Sequence, residues 1–492
     1  MNFWQLSDGI RLHDQLPHGH IGHGMHFPGQ PDLWDPATID TGDDSAGDGG
    51  DGFFAGQIIN SPVALVNPVN TAHAAVHGQA DAYQSNDVQI DQHAVQMAGI
   101  GGQGGNGNLA AGGSISAVEP ASGSSLAGPG SGVIDSGGNT AGNGGDGYFY
   151  GGIIHASMVV YEPINISVAA GYDSTALADQ TNNASFNQSA LQMAGIGGNG
   201  GDGNVAAGGS AALSSPGAAS ELIATGGNGA GNGGTGSFYG TLLDAPVVIY
   251  HPVNIAVAEG GGTAEASQSN NVQIDQSAMQ IAGVGGNGGD GNTAIGGDVS
   301  LLGSGSSSTG WETILSGGNQ AGNGGEGNFH GSLVNTSVVV YDPVNIAVAG
   351  YNSTTEAHQT NNVNLDQSSS QMAGVGGNGG SGNGAIGGNA GIASSGLGTG
   401  SDVIATGGNG AGNGGSGHVS GSLIDVSVAI YAPINIAIAG PHSTAEADQA
   451  NNVHIDQSAT QVAGIGGNGG NYNFALGGDV AAHLLSDLHL VA

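Results

Sequence analysis

The feature that most constrains this chain is a block of about ninety residues that occurs five times. Its landmark is a Pro-Val-Asn or Pro-Ile-Asn triplet, and successive prolines are 95, 89, 91 and 90 residues apart. These prolines are Pro68, Pro163, Pro252, Pro343 and Pro433. A repeat of this kind does not bury its apolar residues alone, but does so by stacking on its neighbours. The 492 residues are therefore predicted to form one stack of similar units, rather than about three independent domains.

The repeats divide the chain into seven segments. Closely related sequence covers 46–113, 137–209, 226–297, 317–388 and 407–478. The predicted segments are an N-terminal segment with His and Asp at 1–45, a divergent repeat 1 at 46–135, repeat 2 at 136–224, repeat 3 at 225–315, repeat 4 at 316–405, repeat 5 at 406–478, and a C-terminal tail at 479–492. Variable Ser- and Gly-rich stretches such as Ser304–Gly310 and Ser394–Gly400 separate the related sequences, as surface loops do.

Each repeat alternates strand-like and turn-like segments, as repeat 3 shows. Phe238–Tyr250 is rich in β-branched and aromatic residues, and Asn254–Ala258 places Ile255 and Val257 on one face with small residues on the other. The segment Asn271–Ala282 alternates with period two and places on one face Val272, Ile274, Gln276, Ala278 and Gln280. The sequence predicts an all-β fold, a repetitive β-solenoid or stacked β-repeat architecture in which stacking buries the lightly apolar face.

Glycine and proline mark the ends of the predicted strands. Gly-Gly-Asn runs flank every repeat and account for much of the 101 glycines. Because glycine accepts positive φ and has no side chain, we expect these runs to form loops that add nothing to the core. Pro252 cannot donate to a strand ladder, so it is expected at a bend or bulge between two strands.

Stacking would place equivalent residues of successive repeats above one another. Amide side chains stacked in this way hydrogen-bond along the stack as ladders, although asparagine can also serve as a turn residue. The predicted ladder residues are Asn165, Asn254, Asn345 and Asn435, preceded by Asn70, and Gln188, Gln276, Gln367 and Gln457, preceded by Gln92. Recurring aromatic positions predict two further stacks, which comprise Tyr161, Tyr250, Tyr341 and Tyr431, and Phe54, Phe149, Phe238 and Phe329, with Val419 in the last repeat.

Charge and motif content exclude several classes of function. Arg11 is the one basic residue beside 38 Asp and Glu, so the formal net charge is −37. Nucleic acid binding needs clustered Lys and Arg, and is not expected. No apolar segment approaches the length of a membrane span. Without cysteine, a nucleophile elbow, a zinc-protease motif or a P-loop lysine, the chain is not expected to be an enzyme.

Two groups of residues are candidates for metal binding. Gly197–Asp202 and Gly285–Asp290 read GGNGGD, which resembles the start of the calcium-binding nonapeptide of RTX proteins and makes Asp202 and Asp290 candidate calcium ligands. The equivalent positions are Asn106, Ser381 and Asn471, which favours Gly-Asn turns with incidental acids. We therefore expect no cofactor, with calcium as the candidate to test.

The N-terminal segment holds closely spaced histidines. His18, His20, His23 and His26 lie among glycines, and such tracts bind Zn²⁺ or Ni²⁺. No cysteine and few carboxylates accompany them, which favours a disordered leader over a metal site.

Two resemblances bear on function. Asn271–Ala294 resembles the strand–turn–strand repeats of bacterial functional amyloids of the curli and Fap types, which space Gln, Gly, Asn and Ala similarly. The acidic, cysteine-free composition, the Gly-Asn-Asp runs and an N-terminus without a basic region or apolar core resemble type I-secreted, RTX-like repeat proteins. These resemblances imply a secreted protein that leaves the cell without a classical N-terminal signal peptide.

The expected function is that of an extracellular structural protein: a self-assembling fibril, a biofilm-matrix subunit or an adhesin stalk. Its expected partners are further copies of itself, with a cell surface or polysaccharide as a further contact. The alternative is a secreted ligand-binding repeat protein that presents a regular solenoid face to carbohydrate, ice or a cation.

Overall fold

The computed structural model describes residues 38–118, 132–215, 221–303, 312–394 and 403–484. Within these ranges the chain forms 43 β-strands and no helix, which confirms the all-β prediction. Apart from Ser394, the predicted loops Ser304–Gly310 and Ser394–Gly400 lie outside the described residues.

Each repeat forms one rung of a stack, and a rung contains eight or nine strands. Rung 1 comprises β1 (Thr38–Asp40), β2 (Asp44–Ala46), β3 (Gly52–Asn60), β4 (Val63–Val66), β5 (Val69–Ala74), β6 (Gln79–Asp91), β7 (Ala94–Ile100), β8 (Leu109–Ala111) and β9 (Ile115–Val118). Rung 2 comprises β10 (Gly132–Ser136), β11 (Asn139–Ala141), β12 (Gly147–His155), β13 (Met158–Tyr161), β14 (Ile164–Ala169), β15 (Thr175–Asn187), β16 (Ala190–Ile196), β17 (Val205–Ala207) and β18 (Ala211–Ser215). Rung 3 comprises β19 (Glu221–Thr225), β20 (Asn228–Ala230), β21 (Gly236–Asp244), β22 (Val247–Tyr250), β23 (Val253–Ala258), β24 (Thr263–Asp275), β25 (Ala278–Val284), β26 (Thr293–Ile295) and β27 (Val299–Gly303).

In the last two rungs the third and fourth strands are fused. Rung 4 comprises β28 (Glu312–Ser316), β29 (Asn319–Ala321), β30 (Gly327–Tyr341), β31 (Val344–Ala349), β32 (Thr354–Asp366), β33 (Ser369–Val375), β34 (Gly384–Ile386) and β35 (Ala390–Ser394). Rung 5 comprises β36 (Val403–Thr406), β37 (Gly410–Ala411), β38 (Gly417–Tyr431), β39 (Ile434–Ala439), β40 (Thr444–Asp456), β41 (Ala459–Ile465), β42 (Phe474–Leu476) and β43 (Val480–Leu484). The predicted repeat boundaries at 135/136, 224/225, 315/316 and 405/406 fall inside the first strand of a rung.

Equivalent strands of the five rungs pair in parallel and in register. The sheet built from β5, β14, β23, β31 and β39, for example, follows rung order from 1 to 5. Its register aligns each asparagine of the Pro-Val/Ile-Asn triplet with the next. Hydrogen-bonded strands lie about 4.8 Å apart, so the structure is a β-solenoid in which one rung takes up one whole repeat.

Every rung is folded back on itself into two layers. In rung 3 the outgoing layer contains β21, β22 and β23, the chain turns at Glu259–Gly262, and the returning layer contains β24 and β25. The inward-facing side chains of the two layers pack against each other, so that Val248 and Tyr250 contact Val272 and Ile274 in one continuous cluster. The predicted inward face of Asn271–Ala282 is confirmed, since its five alternating residues are all buried.

The apolar face predicted for Asn254–Ala258 is oriented the opposite way. Asn254, Ala256 and Ala258 point inward and are buried, whereas Ile255 and Val257 lie on the outer surface of the outgoing layer. The prediction that stacking buries the larger aliphatic residues was therefore wrong here. The reason is the neighbouring layer: the core at this point consists of alanines from both layers, which leaves no volume for Ile or Val.

The Gly-Gly-Asn runs form a packed interior made of backbone, which corrects the prediction that they are loops outside the core. Gly285 and Gly288 donate to Val375 and Asn378 of rung 4, while Gly286 and Gly289 donate to Gly234 and Gly231 in the facing run of the same rung. This three-residue period matches the polyproline II helix, which has no internal hydrogen bonds. A Cβ on Gly286 would lie 2.0 Å from the Gly198 carbonyl oxygen, so only glycine fits between the rungs.

Pro252 lies in the two-residue connection between β22 and β23, as its missing N–H predicts. Its carbonyl accepts a hydrogen bond from Gln268 Nε2 at 3.2 Å. Within the described ranges, no helix has the length and apolar character needed to cross a membrane.

Candidate functional site: side-chain ladders and the open ends of the stack

The predicted asparagine ladder runs through the interior of the solenoid. Asn165 Nδ2 donates to Asn254 Oδ1 at 2.9 Å, and Asn254 Nδ2 donates to Asn345 Oδ1 at 2.9 Å. The ladder extends to Asn70 and Asn435 at its two ends. Asn254 Nδ2 also lies 3.0 and 2.9 Å from the carbonyl oxygens of Ala178 and Ser267 in the returning layer, so the ladder joins the layers as well as the rungs.

The predicted glutamine ladder is present in the returning layer and has the opposite polarity. Gln276 Nε2 donates to Gln188 Oε1 at 2.9 Å, and Gln367 and Gln457 continue the series at 2.9 and 2.8 Å. Gln188, Gln276 and Gln367 are fully buried. Buried amides are stabilising only when their hydrogen bonds are satisfied, and here each amide finds its partner in the rung before or after it.

Three further amide ladders, all in the returning layer, were not predicted from the sequence. Their members are Gln84, Gln180, Gln268, Gln359 and Gln449; Asn86, Asn182, Asn270, Asn361 and Asn451; and Gln96, Gln192, Gln280, Gln371 and Gln461. The sequence could have predicted these ladders, because each set has the same residue type in all five repeats at an inward-facing position of a strand.

Aromatic stacks accompany the amide ladders. Neighbouring rings of Tyr161, Tyr250 and Tyr341 lie 5.2 and 4.9 Å apart, and the Phe149, Phe238 and Phe329 rings lie 5.1 and 5.2 Å apart. The hydroxyl of Tyr250 donates to Asn270 Oδ1 at 2.9 Å. Burial raises the pKa of Tyr250 well above its ordinary value, so the phenol stays neutral and keeps this hydrogen bond.

Asp202 and Asp290 lie on an exposed ladder between backbone and side chain. The backbone N–H of Asp290 donates to Asp202 Oδ1 at 2.8 Å, and the N–H of Ser381 donates to Asp290 Oδ1. The equivalent bonds in the neighbouring rungs run from the Asp202 N–H to Asn106 Oδ1 and from the Asn471 N–H to Ser381 Oγ. Any short side chain with an oxygen acceptor can fill this position, and a carboxylate is not required. This explains why Asn, Asp and Ser replace one another. Asp202 and Asp290 stay candidate calcium ligands, and the expectation that the protein needs no cofactor stays a prediction.

The remaining metal candidates are not placed by the structure. His18, His20, His23 and His26 lie outside the described residues. Among the residues that are described, no three His, Asp or Glu side chains converge on a common point.

One column of the core carries a buried titratable pair. His155 of rung 2 and Asp244 of rung 3 are fully buried, and His155 Nδ1 lies 2.7 Å from Asp244 Oδ1. His155 Nε2 lies 3.2 Å from the Gln92 carbonyl oxygen, which can only accept, so this nitrogen carries a proton. Burial is the main effect on the Asp244 carboxyl and raises its pKa, partly offset by His155. A 2.7 Å contact between two groups that can each accept requires one further proton between Asp244 Oδ1 and His155 Nδ1.

We expect substitution of Asp244 by Asn to remove a pH-dependent part of the stability. The folded state keeps a proton that the unfolded state releases above about pH 3.9. The contribution of Asp244 is therefore complete below that pH and is lost as pH rises through the raised folded value. The free energy of unfolding of the wild type, minus that of Asp244→Asn, should fall as pH rises above about 3.9. Parallel pH profiles for the two proteins would contradict this assignment.

Among the described residues, the two ends of the stack are open and differ from each other. The returning layer of rung 1 is the better covered of its two layers, with Ala80 and Ala82 buried, whereas the inward residues of its outgoing layer are only half-buried. In rung 5 the returning layer is the exposed one, and its inward residues Ala445 and Ala447 are open to solvent. The outgoing strand of a rung contacts the returning strands of its own rung and of the preceding one, as Asn254 does with Ser267 and Ala178. Each end therefore leaves uncovered the layer that the other end would cover.

No family model, curated protein or solved structure matches this chain. The geometry of the described residues defines its class as a two-layer, parallel β-solenoid with five rungs and internal amide ladders, whose first and last rungs pair with no further described strand.

Proposed function

We propose that this protein is an extracellular structural protein that polymerises end to end, as a fibril subunit, a biofilm-matrix subunit or the stalk of an adhesin. The observation that carries the proposal is the pair of complementary open ends. Exposed strand edges recruit further strands unless they are blocked, and the rungs at the two ends have the same sequence pattern.

The ladders support continuation from one copy into the next. Asn70 Oδ1 accepts no hydrogen bond from the described residues, and Asn435 Oδ1 accepts the last bond of the same ladder from Asn345 Nδ2. Gln457 and Gln92 end the glutamine ladder with the opposite polarity. If rung 1 of a second copy stacked on rung 5 of the first, each terminal amide would meet its own counterpart at the spacing found inside the chain.

Charge sets the conditions under which this assembly should occur. Each copy has a formal net charge of −37, so two copies repel each other at neutral pH and low ionic strength. Salt, divalent cations and mild acid all weaken that repulsion. Filaments should therefore form more readily as pH falls toward the sequence pI near 4.1.

Gly50→Ala tests the proposal at one end of the stack. Gly50 has open space where a Cβ would lie, whereas its counterparts Gly145 and Gly234 have the carbonyl oxygen of the preceding rung 2.2 and 2.1 Å from that position. In a continued stack the preceding rung would belong to another copy and would present Gly415. The variant should fold normally but fail to elongate, raising the critical concentration by at least about tenfold.

Light scattering and negative-stain microscopy between pH 7 and 4.5 would measure this effect. Ser269→Ala, on the outer surface of rung 3, is the control and should polymerise like the wild type. A wild-type protein that stays monomeric throughout this range, or a Gly50→Ala protein that polymerises equally well, would overturn the proposal.

The alternative function, a secreted ligand-binding repeat protein, is favoured by one surface feature. An open groove of about 460 Å³ runs across all five rungs beside the turn between the two strands of the returning layer. Ser189, Ser277, Ser368 and Ser458 form a column of hydroxyls along it, next to Leu191 and Met279. Hydroxyls beside apolar carbons suit a carbohydrate chain, and saturable binding of a soluble polysaccharide by monomeric protein would support this function instead.

A further inference from the structure

The outer surface of the outgoing layer is a largely aliphatic face. Between residues 59 and 73 of rung 1 and their equivalents, every second residue points outward. Six of these outward columns are almost wholly aliphatic: Ile59, Ile154, Leu243, Val334 and Ile424; Val63, Met158, Val247, Val338 and Val428; Leu65, Val160, Ile249, Val340 and Ile430; Val69, Ile164, Val253, Val344 and Ile434; Thr71, Ile166, Ile255, Ile346 and Ile436; His73, Val168, Val257, Val348 and Ile438.

These side chains are accessible to solvent, in contrast to their inward neighbours. Leu65 in rung 1 is 62% exposed and Ile438 in rung 5 is 52% exposed, whereas the inward Val248 is 0% exposed. In rungs 2 to 4 the outward residues are flanked by the rungs above and below, yet almost all remain partly exposed. Within the described residues, no other element covers this face.

The area of the face is larger than a monomer ordinarily exposes. Fifteen residues at about 3.3 Å each span about 50 Å, and five rungs at about 4.8 Å each span about 24 Å. The product is about 1,200 Å², of which the six aliphatic columns among eight account for about 900 Å², compared with about 300–600 Å² for the largest apolar patch on a typical monomer. A stable protein–protein interface buries about 800 Å² on each partner, so this face alone is sufficient for one.

We propose that this face pairs with the same face of a second copy, so that two solenoids pack back to back along their outgoing layers. The two faces share one strand spacing, and their aliphatic columns can interdigitate across about 10 Å, as in packed β-sheets. A partner without this regular spacing would match only part of the face. The proposal is separate from end-to-end polymerisation, because it uses the side of the stack rather than its ends.

The charge distribution also favours this mode of contact between like molecules. Although each copy has a formal charge of −37, the described residues of this face include few ionisable groups. They are His73 at the edge and Glu162, His251 and Asp342 in one column, where His251 Nδ1 lies 3.5 Å from Asp342 Oδ2. By contrast, the outer surface of the returning layer carries Glu265, Glu356 and Glu446 in a single column. Two copies therefore repel least when they approach through the aliphatic face.

The test uses Gly50→Ala protein, in which end stacking is blocked, and adds Ile166→Thr, Ile255→Thr and Ile346→Thr. These three isoleucines form one outward column, and rung 1 already has Thr71 there, so threonine suits the strand. Analytical ultracentrifugation should find a dimer of the 47.4 kDa chain for Gly50→Ala alone. The triple threonine variant should raise the dimer dissociation constant by at least about a hundredfold.

The matched control carries Thr181→Ala, Ser269→Ala and Thr360→Ala, which lie in one column of the same three rungs on the outer surface of the returning layer. It should dimerise as Gly50→Ala does. Because the chain has no cysteine, Ile255→Cys provides a second readout, since a short bis-maleimide should cross-link it into dimers and should not cross-link Ser269→Cys.

The remaining outcomes also decide the question. A Gly50→Ala protein that stays monomeric at high concentration overturns the proposal, as does one that binds zwitterionic phosphatidylcholine vesicles through this face without dimerising. If Gly50→Ala still forms filaments, the proposed end stacking through Gly50 is wrong. The thickness of those filaments then shows whether two solenoids pair through the aliphatic face. Paired filaments that become single in the triple threonine variant support the proposal, and an unchanged thickness overturns it.

Discussion

Substitution of Gly234 by Ala should destabilise the folded protein by about 3 kcal/mol or more. The added Cβ would lie 2.1 Å from the carbonyl oxygen of Gly145, a backbone atom held in the preceding rung. No side-chain rotation relieves that contact, so the two rungs must separate. Separation would also weaken the bond from the Gly234 N–H to the Gly198 carbonyl, which joins the same two rungs. Urea unfolding followed by circular dichroism would measure the loss.

The chain contains its own control for this experiment. Gly50 occupies the same column in rung 1, has no atom within 4 Å of the position that a Cβ would take and is not among the glycines with positive φ. Alanine at Gly50 should leave the monomer unchanged or stabilise it by up to about 1 kcal/mol, because it restricts the unfolded chain. Equal losses for Gly50→Ala and Gly234→Ala would show that chain flexibility, rather than contact between rungs, is the reason for glycine in this column.

Substitution of Asn254 by Ala should cost about 3–5 kcal/mol. Asn254 is fully buried, accepts from Asn165 Nδ2 and donates toward Asn345 Oδ1 and the Ala178 and Ser267 carbonyls. Alanine would leave these groups without their partner in a space closed to water. Because an unpaired buried polar group costs more than a hydrogen bond contributes, the loss should exceed that of the side-chain volume alone.

Asn271→Ala is the matched substitution on the surface. Asn271 lies in the returning layer of the same rung, points to solvent and accepts one exposed hydrogen bond from Asn362. Its replacement should change the free energy of unfolding by about 0.5 kcal/mol or less. If the two alanine variants unfold at the same urea concentration, the internal ladder does not contribute the stability inferred from its geometry.

Both predictions concern how the rungs are kept in register. Parallel strands with similar sequences can slip past one another when nothing distinguishes one pairing from the next. The amide ladders restrict this slippage, because a shift of one residue would place Asn254 beside an aliphatic side chain and leave its donors unpaired. The glycine columns restrict it further, since any other residue shifted into them would bring a Cβ against backbone.

Much of this architecture follows from the repeat itself. The regular spacing of the five prolines determines that equivalent residues of successive rungs lie above one another. The alternation in Asn271–Ala282 determines which of its side chains share the inward face. Identical residues at the repeat spacing predicted the Asn254 and Gln276 ladders and the tyrosine stack, and the described residues contain all three. These features depend on local periodicity and on the stacking of identical residues, and both can be recognised in the sequence alone.

Tertiary structure decided what lies opposite each strand, and this reversed two interpretations. Ile255 and Val257 would be expected in a core, but alanines of the facing layer leave no room for them, so they form an outer face. The Gly-Gly-Asn runs would be expected in loops, but two such runs from each rung lie side by side and pair through their backbones. Likewise, His155 and Asp244 are 89 residues apart and form a pair only because rungs 2 and 3 are adjacent. The alternation of residues determines which side chains share a face of a strand, whereas the distance to the facing layer decides which of the two faces is buried.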